Sequence, residues 1–243
     1  MGTARIPILG VGFDSLGMME ASDAALALID RRSRAYAVTP NPEIVWLCRQ
    51  DSDLVSALSG AALVLPDGVG VVYAAKILGR PLKQRLPGID FAQEVLGRLA
   101  KRGGSVYLLG AKPGVGELAA KTLSENFPRL RIAGVHDGYF SDDAPVVKAI
   151  NEAAPDFLFV CLGSPKQEFW MQKNAPHLDV GLMAGLGGSL DVFAGTVKRA
   201  PKTWRKLGFE WLYRLFQEPW RLGRMLKLPL FLGMAVIERI RGR

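Results

Sequence analysis

Residues 61–70, AALVLPDGVG, decide the fold of this chain. Residues 61–65 form a short apolar run of the kind that makes a buried strand, and it stops at Pro66-Asp67-Gly68. Over residues 69–78 the pattern becomes that of a packed helix. A strand turning directly into a helix is half of a β-α-β unit. In a parallel sheet that junction lies at the carboxyl edge, where such folds bind ligands. An aspartate therefore stands where chemistry usually happens, on a turn whose glycine lets another molecule approach the backbone. Asp67 also has a plainer use, as the cap of the helix that follows it.

The alternation continues on both sides. Candidate strands cover residues 6–11, 35–39, 62–65, 106–109, 131–135, 157–161 and 180–184. Helical periodicity fills 24–32, 69–78, 91–101, 117–127, 146–153 and 167–173. Repeated β-α-β units predict an α/β, Rossmann-like fold, a mainly parallel sheet with helices on both faces. Neither a repeat nor a Pro/Ser linker interrupts residues 1–197, so these read as one domain.

The 243 residues, 49% hydrophobic, suffice for a full core. Cys48 and Cys161 both sit in apolar runs and read as buried thiols in a reducing compartment. The first residues lack an apolar run long enough for a signal peptide, so the expected location is cytoplasmic. Charge is divided unevenly. Residues 198–243 hold 12 Lys+Arg and 3 Asp+Glu, a net of +9 against +8 for the whole chain, which leaves −1 for the body. A near-neutral body with a basic, aromatic tail suggests a part that does chemistry and a part that finds an anionic surface.

Five predicted strands end in polar, glycine- or proline-bearing turns: Thr39-Pro40-Asn41, Pro66-Asp67-Gly68, Gly110-Ala111-Lys112, Gly163-Ser164-Pro165 and Gly185-Leu186-Gly187. In a parallel sheet all five line one edge, each before a helix whose free N–H groups favour an anion, phosphate above all. A nucleotide or nucleotide-sugar is the natural ligand. The glycines fit neither a P-loop nor a dinucleotide fingerprint, which weakens kinase and dehydrogenase readings. His136 and His177 are isolated, and Asp51-Ser52-Asp53 reads as a helix cap, so no metal and no cofactor are expected. A metal-free displacement at a sugar carbon needs a base and a group that holds the departing diphosphate. Asp67 can be the base. Arg85 and the helix start after Gly163 can hold the diphosphate, and Gln167 can bind hydroxyls. The plain alternatives are a solvated Arg85 and a Gln167-Glu168 pair that merely opens a helix.

In order, TPNPE (39–43), PDGVGVV (66–72), RLPGIDF (85–91), YLLGAKPGV (107–115), HDGYF (136–140), LGSPKQE (162–168), GLGGSLDVFAGTVKRAP (185–201) and EWLYRLFQEPWR (210–221) resemble the WecG/TagA/CpsF family of bacterial glycosyltransferases. The likeness runs from about residue 8 to residue 224. It implies transfer of a sugar from a UDP donor to a polyprenyl-diphosphate-linked sugar at a membrane face, with inversion and without a required metal. It implies Asp67 as the catalytic aspartate, with Thr39, Arg85 and Gln167 at the family's other motif positions. Asn41, Gly110, Gly187 and Asp191, in the same segments, complete the expected substrate-binding set.

In the tail, Trp204, Phe209, Trp211, Phe216 and Trp220 interleave with lysines and arginines, while the apolar run at 228–237 is too short to span a bilayer. That mixture suits a helix lying among lipid headgroups, so residues 198–243 read as a basic, amphipathic, membrane-binding appendage. The rival is a helical hairpin packed on the body. Nucleic acid, supported by charge alone, is not expected as a partner. Arg214, Arg221 and Arg224, spaced by 7 and 3, share one helical face unless Pro219 breaks it; the resemblance implicates the C-terminal segment in membrane docking and in completing the active site, and these arginines are the expected contacts of the acceptor diphosphate. The expected protein is an inverting UDP-sugar transferase, peripheral on the inner face of the cell membrane, with an N-acetylmannosamine-type donor favoured. Oligomerisation is left open. UDP-glucose or a UDP-uronic acid is the alternative donor, and a non-catalytic nucleotide-sugar or lipid-binding module the alternative class.

Overall fold

The strand expected over residues 6–11 is a hairpin, β1 (Ile6–Ile8) against β2 (Val11–Phe13), antiparallel and outside the main sheet. Leu9 and Gly10 both have positive φ, +50° and +89°, which folds the chain straight back. The hairpin is pinned to the body through Asp14, whose carboxylate accepts from Arg5 Nε at 3.3 Å and from the Val64 backbone N–H at 2.7 Å. The computed structural model describes residues 4–201, 203–204, 208, 210–217 and 227–242.

After the hairpin come α1 (Met18–Asp30), β3 (Ala35–Val38), α2 (Pro42–Leu47), α3 (Ser52–Ser59), β4 (Leu63–Val64) and α4 (Val69–Ile77). Next are α5 (Gly88–Lys101), β5 (Ser105–Gly110), α6 (Val115–Asn126), β6 (Arg131–His136) and α7 (Asp143–Ala153). The body closes with β7 (Phe157–Cys161), α8 (Lys166–Asn174), β8 (Leu182–Gly185) and α9 (Ser189–Phe193). The six-stranded sheet runs β4-β3-β8-β7-β5-β6, and every pairing in it is parallel. All its carboxyl ends therefore point to one edge, as the turns predicted.

Alternate strand residues feed two cores, the period-two rule of a sheet covered on both faces. Tyr36, Val38, Val64, Leu109, Leu158, Val160 and Met183 face one core, under α2, α3, α4, α7 and α8. Ala37, Leu63, Leu65, Leu108, Phe157, Phe159 and Ala184 face the other, under α1, α5, α6 and α9. Cys48 and Cys161 are free, buried thiols, each pushed up to about 12 chiefly by burial.

Among the described residues, the helices Glu210–Gln217 and Lys227–Ile240 follow the body. The second inserts Phe231 and Ala235, both fully buried, into the core beneath α2 and α4. The fit at α4 favours glycine: a Cβ on Gly70 would lie 2.7 Å from Cγ of the Pro42 ring on α2 and 2.5 Å from Leu228 Cδ1. Among the described residues no helix is long and apolar enough to cross a membrane.

Candidate active site

The ends of β3 and β4 are stitched to the loop that leads into α5. Leu65 N donates to Val38 O at 2.9 Å, Asp67 N to Pro40 O at 3.2 Å, and Leu86 N to Pro66 O at 2.8 Å. These bonds fix the Asp67 backbone against both neighbouring turns. Its half-buried side chain does not cap the helix that follows it. The N-cap of α4 is Gly68, which has φ +84° and gives no side-chain cap. Instead Asp67 Oδ2 accepts from the Gly88 backbone N–H at 3.4 Å, across the site at the first residue of α5. The partial positive charge of a helix start thus faces a carboxylate at the sheet edge.

Thr39 shares this corner. Its Oγ1 donates to Gly185 O at 3.2 Å, tying the end of β3 to the end of β8. A Cβ on Gly88 would lie 3.0 Å from the same oxygen, so Thr39, Asp67 and the start of α5 converge. Asn41 is next in line, but it serves the helix that follows. Its Oδ1 accepts from Ile44 N at 3.0 Å and caps α2.

Gln167 lies in the first turn of α8, but buried rather than presented to solvent, with 3% of its surface exposed. Its Oε1 accepts from Gly187 N at 3.0 Å, and its Nε2 donates to Glu168 Oε1 at 2.9 Å. The amide is therefore spent largely on shaping the Leu186-Gly187 turn. Glu168 is 1% exposed, and among the described residues its Oε2 has no hydrogen-bond partner. Burial pushes its pKa up, opposed by hydrogen bonds from Gln167 and its own backbone N–H and by the nearby Ser164 hydroxyl. Read from sequence as an ordinary helix opener, Glu168 is a deeply buried acid.

Gly110 closes β5 against β7, since a Cβ there would collide with the Cys161 backbone carbonyl; its contribution to the edge is backbone shape. Asp191 is half-buried in the first turn of α9, and its backbone carbonyl accepts from Thr196 Oγ1 at 2.9 Å and from Val197 N at 3.1 Å. Asp51 caps α3 through Leu54 N at 2.9 Å, as its spacing suggested. An open hollow of about 450 Å³, lined in part by Pro165, Lys166 and Trp170, includes none of Thr39, Asp67 or Arg85.

Arg85 is not the solvated loop charge of the plain reading. It is 20% exposed, with Nη2 3.4 Å from Glu210 Oε2. Glu210 Oε1 lies 3.3 Å from Arg199 Nε, and Arg199 grips Asp90 with both terminal nitrogens, at 2.6 and 2.7 Å. Sequence reading missed Asp90, Arg199 and Glu210 because no local spacing joins them; Asp90 and Arg199 stand 109 positions apart. Arg214 lies on the helix Glu210–Gln217, but its side chain, and all of Phe209, Trp220, Arg221 and Arg224, fall outside the described residues.

The model of the glycosyl transferase WecG/TagA/CpsF family matches residues 6–243. The chain belongs to this family. It is a glycosyltransferase, and the family match exceeds at both ends the stretch that the motifs covered. Among curated proteins, it is similar to the N-acetylglucosaminyldiphosphoundecaprenol N-acetyl-beta-D-mannosaminyltransferase of Staphylococcus aureus strain MRSA252, with 38% identity over 233 residues, 95% of this chain and 91% of that one. The protein of the same name from Bacillus subtilis strain 168 is 40% identical over 203 residues, 84% of this chain and 79% of that one. Within this WecG/TagA/CpsF member, Thr39, Asp67, Gln167, Gly187 and Arg85 are tied to one strand-end region, whereas Asn41 and Gly110 are engaged in capping and packing.

Proposed function

We propose that this glycosyltransferase moves N-acetylmannosamine from a UDP donor to the N-acetylglucosamine of a polyprenyl-diphosphate-linked acceptor. The activity for which the relatives are named supports the sugar and the lipid-linked acceptor. The observation that carries the chemistry is the Asp67 carboxylate, aimed across the sheet edge at the start of α5 instead of capping α4. Asp67 takes the proton of the acceptor hydroxyl as its oxygen attacks the sugar carbon from the face opposite the diphosphate. The new C–O bond forms as the bond to the diphosphate breaks, and UDP departs with the electron pair. Arg85 and the backbone N–H groups at the strand-end helices meet the developing charge, with no cation required. Thr39 and the turn held by Gln167 shape the donor pocket.

The basic C-terminal segment supports a peripheral seat on an anionic membrane, where the acceptor lies. On the helix Lys227–Ile240, Phe231 and Ala235 are buried, yet Leu230, Val236, Ile237 and Ile240 on the opposite face are 58%, 43%, 50% and 79% exposed. A helix apolar on both faces calls for a second apolar partner. The deciding experiment incubates the protein with UDP-N-acetylmannosamine and a short-chain lipid-diphosphate N-acetylglucosamine, with and without EDTA, following UDP release and product mass. Transfer that survives chelation is expected. UDP release no faster than without acceptor overturns the reading, and activity restored by magnesium after chelation overturns its metal-free part.

A further inference from the structure

Four charged side chains form a continuous ladder, Asp90–Arg199–Glu210–Arg85, each between 12% and 29% exposed. Arg199 is locked: its two terminal nitrogens hold Asp90 as a fork, leaving Nε for Glu210. Glu210 is thereby oriented, one carboxylate oxygen on Arg199 and the other on Arg85. It is the first residue of its helix, where the helix dipole also favours a carboxylate. The loop carrying Arg85 is pinned beside Asp67 by the Leu86–Pro66 and Gly88–Asp67 bonds, so its backbone has little freedom. What remains to be set is the direction of the Arg85 guanidinium, whose ion-pair partner among the described residues is Glu210.

We infer that Glu210 is a positioning residue, the contribution of the C-terminal segment to the reacting site, which aims Arg85 at the departing diphosphate. The Glu210 carboxylate is shared between Arg199 and Arg85, so it offsets the charge of Arg85 only in part. The inference rests on the proposed reaction for the role of Arg85, but not for its orientation. Seating the helix Glu210–Gln217 and readying Arg85 become one event, and a detached segment leaves Arg85 free to swing.

The test compares wild type, Glu210→Gln, Glu210→Asp, Arg85→Gln and the Glu210→Gln/Arg85→Gln double variant, all as full chains. With Arg85 misdirected, Glu210→Gln should lose about tenfold or more in kcat with KM for the UDP-sugar changed less than about threefold, and Glu210→Asp should recover part of the loss. If Glu210 acts through Arg85, the double variant is no slower than Arg85→Gln alone. Losses that multiply overturn the inference, as does a Glu210→Gln enzyme with wild-type kcat. A second arm needs no turnover: labelling of Arg85 by an arginine-selective dicarbonyl, read by mass spectrometry, should speed up severalfold in Glu210→Gln. Unchanged labelling overturns the inference even if the wild type transfers sugar. Faster labelling in a protein that transfers none upholds the ladder and discards the reaction.

Discussion

Asp67, on a strand-end turn, and Glu168, in the first turn of α8, are both acids near the sheet edge, but they stand in different surroundings. Asp67 is half-buried and accepts from the Gly88 backbone N–H at the start of α5, on the sheet edge where the proposed reaction needs a base. Asparagine at 67 would keep the size and still accept from Gly88, but it has no proton affinity to offer. Asp67→Asn should therefore cut transfer by about a hundredfold or more, with the thermal midpoint nearly unmoved. Wild-type turnover in that variant would return Asp67 to a purely structural role. Glu168 is a different case, a carboxyl whose charged form is penalised by burial and whose Oε2 lacks a partner among the described residues. Its folded pKa is raised above the ordinary 4.5, so the unfolded chain gives up the proton first as pH rises. The stability linked to the neutral carboxyl is present below pH 4.5 and is lost as pH climbs through the folded value. Relative to wild type, Glu168→Gln should gain stability between pH 4 and pH 8 in urea unfolding; a difference that stays flat across that range would show that Glu168 does not titrate as argued. Asp67 was legible because strand, turn and helix signals meet in ten residues. Glu168 was not, because burial of a helix's first turn depends on what the rest of the chain lays over it.

At the level of elements, the sheet was readable because each buried strand is a short apolar run closed by glycine or proline, as in Leu108-Leu109-Gly110. The first run misled for a local reason: Leu9-Gly10 divides an apolar stretch with a turn that the apolar pattern alone does not mark. The last helix shows the other limit. Its apolar residues are visible in the sequence, but the division into a face on α2 and α4 and an open face is not. With Phe231 fully buried in the main core, Phe231→Ala should cost about 3–5 kcal/mol in unfolding free energy, the range for large-to-small core changes. A cost under about 1 kcal/mol would mean the helix is only loosely laid on the body. The same contact bears on truncation. Deleting residues from Ala200 onward would strip the cover from α2 and α4 and leave an apolar face bare, so loss of transfer in such a fragment would not distinguish membrane binding from damage to the body.

Across the whole molecule, charge and exposed apolar surface coincide in the C-terminal segment. Residues 198–243 carry a net +9, while the body is near neutral. Leu230, Val236, Ile237 and Ile240 stand on the side of their helix turned away from Phe231, with Arg239 and Arg241 nearby, and Phe216 on the preceding helix is 70% exposed. Cations draw such a surface to anionic headgroups over about a Debye length, and the apolar side chains then enter the headgroup boundary. Each basic residue near the surface contributes on the order of 1 kcal/mol. Because the four aliphatic residues are largely outside the core, replacing Ile237 and Ile240 together with aspartate should leave folding intact. It should lower co-sedimentation with vesicles containing phosphatidylglycerol by about tenfold or more, through lost insertion and added repulsion. Binding of the unaltered protein should also weaken steeply between 0.05 and 0.5 M salt, roughly the range over which the screening length falls below 10 Å. With a freely soluble acceptor of short chain, the double variant should transfer sugar at near wild-type rate, since Asp67, Thr39 and Arg85 are untouched. It should fall behind when the acceptor is confined to vesicles. Equal rates on confined acceptor, or vesicle binding indifferent to both salt and the two aspartates, would mean that the open face of the last helix serves some purpose other than meeting a membrane.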